Sequence, residues 1–192
     1  MSTLSRFRNL LLALGLAVAP ALALAAAPAA FDHGLTALDR VDRQVMPAID
    51  LPQLRREDTS RARGALPPRF AVPIAVSLSP EKSGTWEDLD AERSIWRLRI
   101  TSPGAHSINL GFTHYHMPAG GRLLVYPAGL KPGADPTLVR EFSDADNAAH
   151  GQLWTPIVMS DDIVVEAIVP RASKDALVLD LRNNPGGDNS FS

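Results

Sequence analysis

The chain has 192 residues, enough for roughly one domain, and its 19 basic and 21 acidic side chains give a formal charge of −2. That near balance excludes the basic excess of a nucleic-acid binder, and the hydrophobic fraction of 45% argues against wholesale disorder. The absence of cysteine excludes disulfides, thiolate metal sites and a cysteine nucleophile within these residues.

Residues 1–25 have the pattern of a secretory signal peptide. Arg6 and Arg8 supply a positive start, and Leu10 to Ala19 is apolar but short for a bilayer span. Ala23-Leu24-Ala25 places small residues where a signal peptidase needs them. Arg6 and Arg8 are not adjacent, which argues against a twin-arginine signal. No later segment has 18 consecutive apolar residues, so the expected location is secreted or periplasmic, with no membrane contact after signal removal.

Residues 26–68 read as an arm. Six arginines between Arg40 and Arg63 mix with acids, and Pro47, Pro52, Pro67 and Pro68 interrupt the segment. Leu35, Leu38, Val45 and Ile49 have the loose spacing of one short helix. The composition is compatible with an extended arm over a surface or with an unstructured linker.

From Arg69 the pattern changes to period two. Phe70, Val72, Ile74 and Val76 alternate with Ala71, Pro73 and Ala75, as in a strand, and Pro73 marks an edge or bulge. Ser79 to Gly84 is a loop, and Trp86 follows in loop context. In the next strand, Trp96, Leu98 and Ile100 share one face and Ile95, Arg97, Arg99 and Thr101 the other. Ser102-Pro103-Gly104 turns the chain into a strand over His106 to Thr113. Pro118 to Gly121 turns it again into Arg122 to Tyr126. Ala128 to Pro136 is a loop and Thr137 to Phe142 a short strand. Leu153 to Met159 and Ile163 to Val169 are runs separated by Ser160-Asp161-Asp162, and Leu177 to Leu181 closes the set. Residues 183–192 are Asn, Gly and Ser with little to bury and read as a flexible tail.

About eight short strands with no helix of convincing length after residue 69 indicate an all-β fold. The expected form is an antiparallel β-sandwich, jelly-roll-like, over residues 69–182, with two sheets about 10 Å apart. Trp96, Phe112, Tyr126 and Trp154 are the expected core aromatics.

Candidate chemistry is sparse. Gly-Asp-Ser-Gly-Gly and Gly-x-Ser-x-Gly are both absent, so no Ser/His/Asp catalytic set can be read from the chain. His114 and His116 have strand spacing that points both imidazoles to one side, where they could ligate a metal with Glu141, Glu166 or His150. A cupin-type glutamate does not follow, and two solvent-facing histidines beside a turn is the favoured reading. Asp144-Ala145-Asp146-Asn147 opens like a calcium loop but has Ala149 and Thr155 where glycine and glutamate are required, so a polar turn is expected. Asp161 and Asp162 point to opposite faces if extended and read as a turn. Trp86 is a candidate ligand contact that could stack on a sugar, though a cap on the sandwich is the simpler role. No cofactor is expected.

Three phrases go further. They are Trp96-Arg97-Leu98-Arg99-Ile100-Thr101-Ser102-Pro103-Gly104-Ala105; Gly111-Phe112 followed by Met117 to Leu123 and Tyr126; and Gly151-Gln152-Leu153-Trp154-Thr155-Pro156-Ile157-Val158 followed by Asp161, Val164 and Glu166. In this order, over about residues 69–182, the chain resembles the N-terminal pro-region of secreted bacterial lysyl endopeptidases and related trypsin-like proteases. The resemblance implies a signal peptide, a β-rich pro-segment and then a disulfide-bonded catalytic domain. It implies a non-catalytic role, as folding assistant and inhibitor of a trypsin-like serine protease domain in cis or in trans. The sequence ends at Ser192, where a cysteine-containing protease domain would be expected to start, so no catalytic residue carries over. Met159-Ser160 also stands where such sequences often have Pro-Gly or Gly before the aspartate. The alternative is an extracellular carbohydrate- or envelope-binding module using Trp86 and the loop from Ala128 to Pro136.

Overall fold

The computed structural model describes residues 27–182 apart from Pro68 and Phe70. The expected signal peptide (1–25) and tail (183–192) lie outside the described residues, as does Phe70 at the head of the expected first strand. The described strands are β1 (Arg43–Val45), β2 (Ser77–Leu78), β3 (Thr85–Asp88), β4 (Arg93–Thr101), β5 (Gly111–Phe112), β6 (His114–His116), β7 (Arg122–Pro127), β8 (Arg140–Ser143), β9 (Leu153–Trp154), β10 (Asp162–Pro170) and β11 (Val178–Arg182). One α-helix, α1, covers Leu51–Arg63, with short 3-10 turns elsewhere. The chain is all-β, and among the described residues no helix is long and apolar enough to cross a membrane.

The largest sheet runs β1-β4-β10-β7-β8, with β3 also paired to β4. A second sheet runs β2-β11-β6 and a third pairs β5 with β9. β10 is central. It pairs antiparallel with β4, so Trp96 faces Ala167 and Arg97 faces Glu166, and with β7, so Glu166 also faces Leu124. Side chains alternate across a strand, and the two faces of this sheet meet different cover. Trp96, Leu98, Leu123, Val125, Val165 and Ala167 enter the main core with Phe112, Tyr115, Leu179 and Leu181 of the two smaller sheets. The opposite face carries Ile95 and Ile168, packed with Ala29 and Leu35, and Leu124, Tyr126 and Val164, packed with Leu38 and Val139.

That second face is covered by the N-terminal segment, and polar groups hold it there. Thr36 N–H donates to Glu87 at 2.7 Å, and the Arg97 guanidinium donates to Thr36 O at 2.7 Å. Arg97 also pairs with Glu87. Asp42 N–H donates to Thr85 Oγ1 (2.9 Å), while the Asp42 carboxylate accepts from Gly84 N–H (2.6 Å). The segment then joins the sheet edge as β1, with Gln44 level with Ile100. Gly84 has φ +83°, and a Cβ there would stand 2.2 Å from the Trp96 indole nitrogen; only glycine permits this crossing.

Several expectations need correction. Strand pairs within residues 69–182 are antiparallel as expected, but part of the expected arm forms β1 and pairs parallel with β4. The alternating residues up to Val76 form no strand before Ser77, because Pro73 has no N–H to donate and the segment runs beside the groove described below instead. The helix lies at Leu51–Arg63, after the residues whose spacing suggested one. The Asp50 carboxylate caps it by accepting from Gln53 N–H at 2.9 Å, and Pro52 sits in its first turn. Among the core aromatics, Trp96, Phe112 and Tyr126 are buried, but Trp154 is 43% exposed and Tyr115 takes a core place instead. Trp86 lies in β3, level with Trp96, not in a loop.

Candidate functional site

A groove of about 860 Å³ lies at one end of the main core. Leu78, Ile100, Leu110 and Leu181 form its buried lining. The non-strand run Val72-Pro73-Ile74 and the first turn of α1, through Leu51 and Leu54, flank it. Trp154 and Ile157 stand at the rim, 43% and 53% exposed. Its size and apolar lining fit a binding surface better than a catalytic centre.

Local sequence explains the exposed rim. Leu153 and Trp154 pair with Phe112 and Gly111, and Pro156, which has no N–H, interrupts the ladder before it returns as a single bridge between Ile108 and Val158. Trp154 lies against the bare Cα of Gly111, where a Cβ would meet the indole at 2.5 Å. One face of the ring is therefore seated on the backbone of β5. Thr155, buried next to it, ties the region down: its hydroxyl accepts from Leu110 N–H at 2.9 Å. Ile157 and Met159 continue the strip at 53% and 66% exposure. A run of exposed apolar side chains beside an apolar groove marks an interaction surface.

The buried charges lie elsewhere. Glu166, fully enclosed in β10, accepts from Ala29 N–H and from the Tyr126 hydroxyl, both at 2.8 Å. Burial pushes its carboxyl above the ordinary value, against the bonds from Tyr126 and Ala29 and the charge of Arg97. Burial acts the same way on Glu87, but the Thr36 N–H and the Arg97 guanidinium outweigh it and hold that carboxyl low. Asp162 is likewise held low, burial being overcome by the Arg99 fork (Nη2 to Oδ2 at 2.5 Å) and Thr101. Each group has a partner that fastens β-strands or the N-terminal segment, and none opens into the groove. The alternation pattern missed Glu166. A lone glutamate inside Val164-Val165-Glu166-Ala167-Ile168 was the available signal, since such a charge is buried only with partners.

The residues singled out by sequence are dispersed. His114 and His116 stand exposed on β6, flanking buried Tyr115. His114 Nδ1 lies 3.7 Å from Asp180. Glu166 is enclosed in another sheet, and among the described residues no three His, Asp or Glu side chains gather to hold a metal. Trp86 packs on the main core; its indole N–H donates to Pro80 O at 3.1 Å and the Lys174 ammonium sits 4.3 Å above its ring. Asp144 to Asp146 form a 3-10 turn whose Asp146 carboxylate accepts from Ser143 N–H at 2.7 Å.

No solved structure matches the chain. A family model does: residues 50–182 match the Lysyl endopeptidase N-terminal domain. The match takes in α1 and the groove-flanking run as well as the strands from β2 to β11. The chain therefore belongs to the Lysyl endopeptidase N-terminal domain family, the pro-region of lysyl endopeptidases.

Proposed function

We propose that this chain is the non-catalytic pro-region of a secreted trypsin-like serine endopeptidase, and that it assists the folding of the catalytic domain and restrains it until removal. The family match over residues 50–182 carries this reading. The secretory pattern of residues 1–25 agrees with it.

The physical action is linkage. A pro-region that binds the native catalytic domain and not its unfolded chain stabilises the native state by RT ln(1 + [L]/Kd), about 2.7 kcal/mol at a hundredfold excess over Kd. The same affinity restrains activity when the bound face overlaps the substrate cleft. The contact we assign is the groove with its rim of Trp154 and Ile157. An aromatic anchor seated on a rigid backbone suits a hot spot.

The test is refolding of a denatured lysyl endopeptidase catalytic domain. Added in equimolar amount, the purified chain raises the yield of active protease several-fold, and Trp154→Ala removes most of that gain while its own melting stays near wild type. An unchanged yield with the wild-type chain sinks the reading.

A further inference from the structure

The chain contains three lysines, Lys82, Lys131 and Lys174, against 16 arginines. Resting on the reading above, in which the partner is an endopeptidase for lysyl bonds, we propose that Lys82–Ser83 is the bond at which that partner begins to dismantle the pro-region.

The exposed cations of β1 and α1, among them Arg43, Arg55, Arg56 and Arg63, are all arginine. A lysyl endopeptidase passes over them, so the three lysines set where it can act. Their surroundings differ. Lys174 is half-buried, its ammonium lies over Trp86 and its carbonyl accepts from Leu177 N–H at 3.2 Å. It is not free to enter a specificity pocket. Lys131 is exposed, but its carbonyl accepts from Ala134 N–H at 3.1 Å and the bond it precedes is to Pro132. A cut there opens only the loop between β7 and β8, which stay paired to each other, with β7 also held by β10.

Lys82 is exposed at the tip of a polar loop, the kind of site where nicking concentrates. The loop is closed on one atom: Ser79 O accepts from Lys82 N–H (3.0 Å), Ser83 N–H (2.9 Å) and the Ser83 hydroxyl (3.0 Å). Breaking these partly exposed bonds is a local opening that leaves the core untouched. The residues just after the bond form the crossing that holds the N-terminal segment. Ser83 O accepts from the Trp96 indole N–H at 2.8 Å, Gly84 N–H donates to Asp42, and Thr85 accepts from Asp42 N–H. Hydrolysis adds water across the bond. The Lys82 carbonyl carbon takes the oxygen as a carboxylate, the C–N bond breaks, and Ser83 leaves as a protonated amine beside Trp96. The covalent link between the fragment carrying the sheet cover, α1 and β2 and the rest of the sheet is then gone.

The experiment uses the full chain under native conditions with a trace of purified lysyl endopeptidase, followed by intact mass and near-ultraviolet tryptophan dichroism. The first products are the two fragments meeting at 82 and 83, and the tryptophan signal falls at the same rate. Lys82→Arg, whose melting matches wild type, lengthens the half-life roughly tenfold or more, because other routes need larger opening; Lys131→Arg leaves it unchanged. A first cut at Lys131 or Lys174, or a Lys82→Arg chain lost at the wild-type rate, overturns the proposal. Refolding assistance by Lys82→Arg is read separately: failure there condemns the pro-region reading, while the order of cuts judges this site alone.

Discussion

Glu166 sits midway along β10 with apolar neighbours on both sides of it in sequence, and the Ala29 N–H and Tyr126 O–H donors, with the charge of the nearby Arg97, make its enclosure tolerable. Burial raises its pKa above the ordinary 4.5. The folded chain thus holds that proton more tightly than the unfolded chain does. The stability this group supplies is complete below about pH 4.5 and is lost as pH rises through the folded value. Glu87 and Asp162 act in the opposite direction, supporting the fold above their ordinary values and ceasing to do so as pH falls through their depressed ones. Glu166→Gln removes only the first effect. Urea midpoints of the two proteins should therefore diverge with pH, wild type losing ground to the variant as pH rises above about 4.5; a constant gap would contradict the assignment. Residues of this kind were only half legible. Trp96, Phe112 and Tyr126 announce their burial by alternation, whereas Arg97 and Glu166 look solvent-facing until a second cover for the sheet is known. Trp154 errs the other way: its strand is two residues long, and its seat on Gly111 depends on a pairing that period alone does not reveal.

Among the elements, α1 contributes little burial for its length. It has no buried residue, and it is held by its Asp50 cap, by Gln53 to Glu57 at 2.9 Å and by Arg69, which bridges Glu57 and Asp58 at 2.7 and 3.0 Å. Asp50→Ala should cost about 1 kcal/mol of helix stability yet shift global unfolding by less than about 0.5 kcal/mol. Amide exchange resolved over residues 51–63 checks this: faster exchange there with an unchanged urea midpoint is expected, and a matching global loss would mean that the helix is part of the cooperative core. The long strands β4, β7 and β10 could be read from sequence because period-two apolar residues persist through them. β1, β3 and β6 could not, since each is only three or four residues long, and β1 and β6 owe their form to partners distant in sequence. The run from Val72 to Val76 shows the converse. Its alternation is as regular as a strand's, but with Pro73 in it and no ladder beside it the apolar face is used to flank the groove.

At the scale of the whole molecule, polar groups are spent on fastening the N-terminal segment to the large sheet, and the least protected apolar surface gathers at the groove and along Trp154 to Met159. That division of labour is what a binding partner of a protease requires: a rigid body, an apolar face and titrating groups committed to structure. The family was legible because the three phrases around Trp96, Gly111 and Trp154 fall on β4, on β5 to β7 and on β9 to β10, which together build the core and one side of the groove. The groove itself was not, because its other side comes from α1 and the non-strand run, whose sequence carries no strand pairing to place it. The direct measurement is calorimetric titration of this chain into a purified lysyl endopeptidase catalytic domain, inactivated by substitution so that nothing is degraded. The account predicts a one-to-one complex with a negative heat-capacity change from apolar burial, weakened about tenfold or more by Trp154→Ala. No heat of binding at protein concentrations of roughly 100 μM, weaker than any useful linkage, would contradict it.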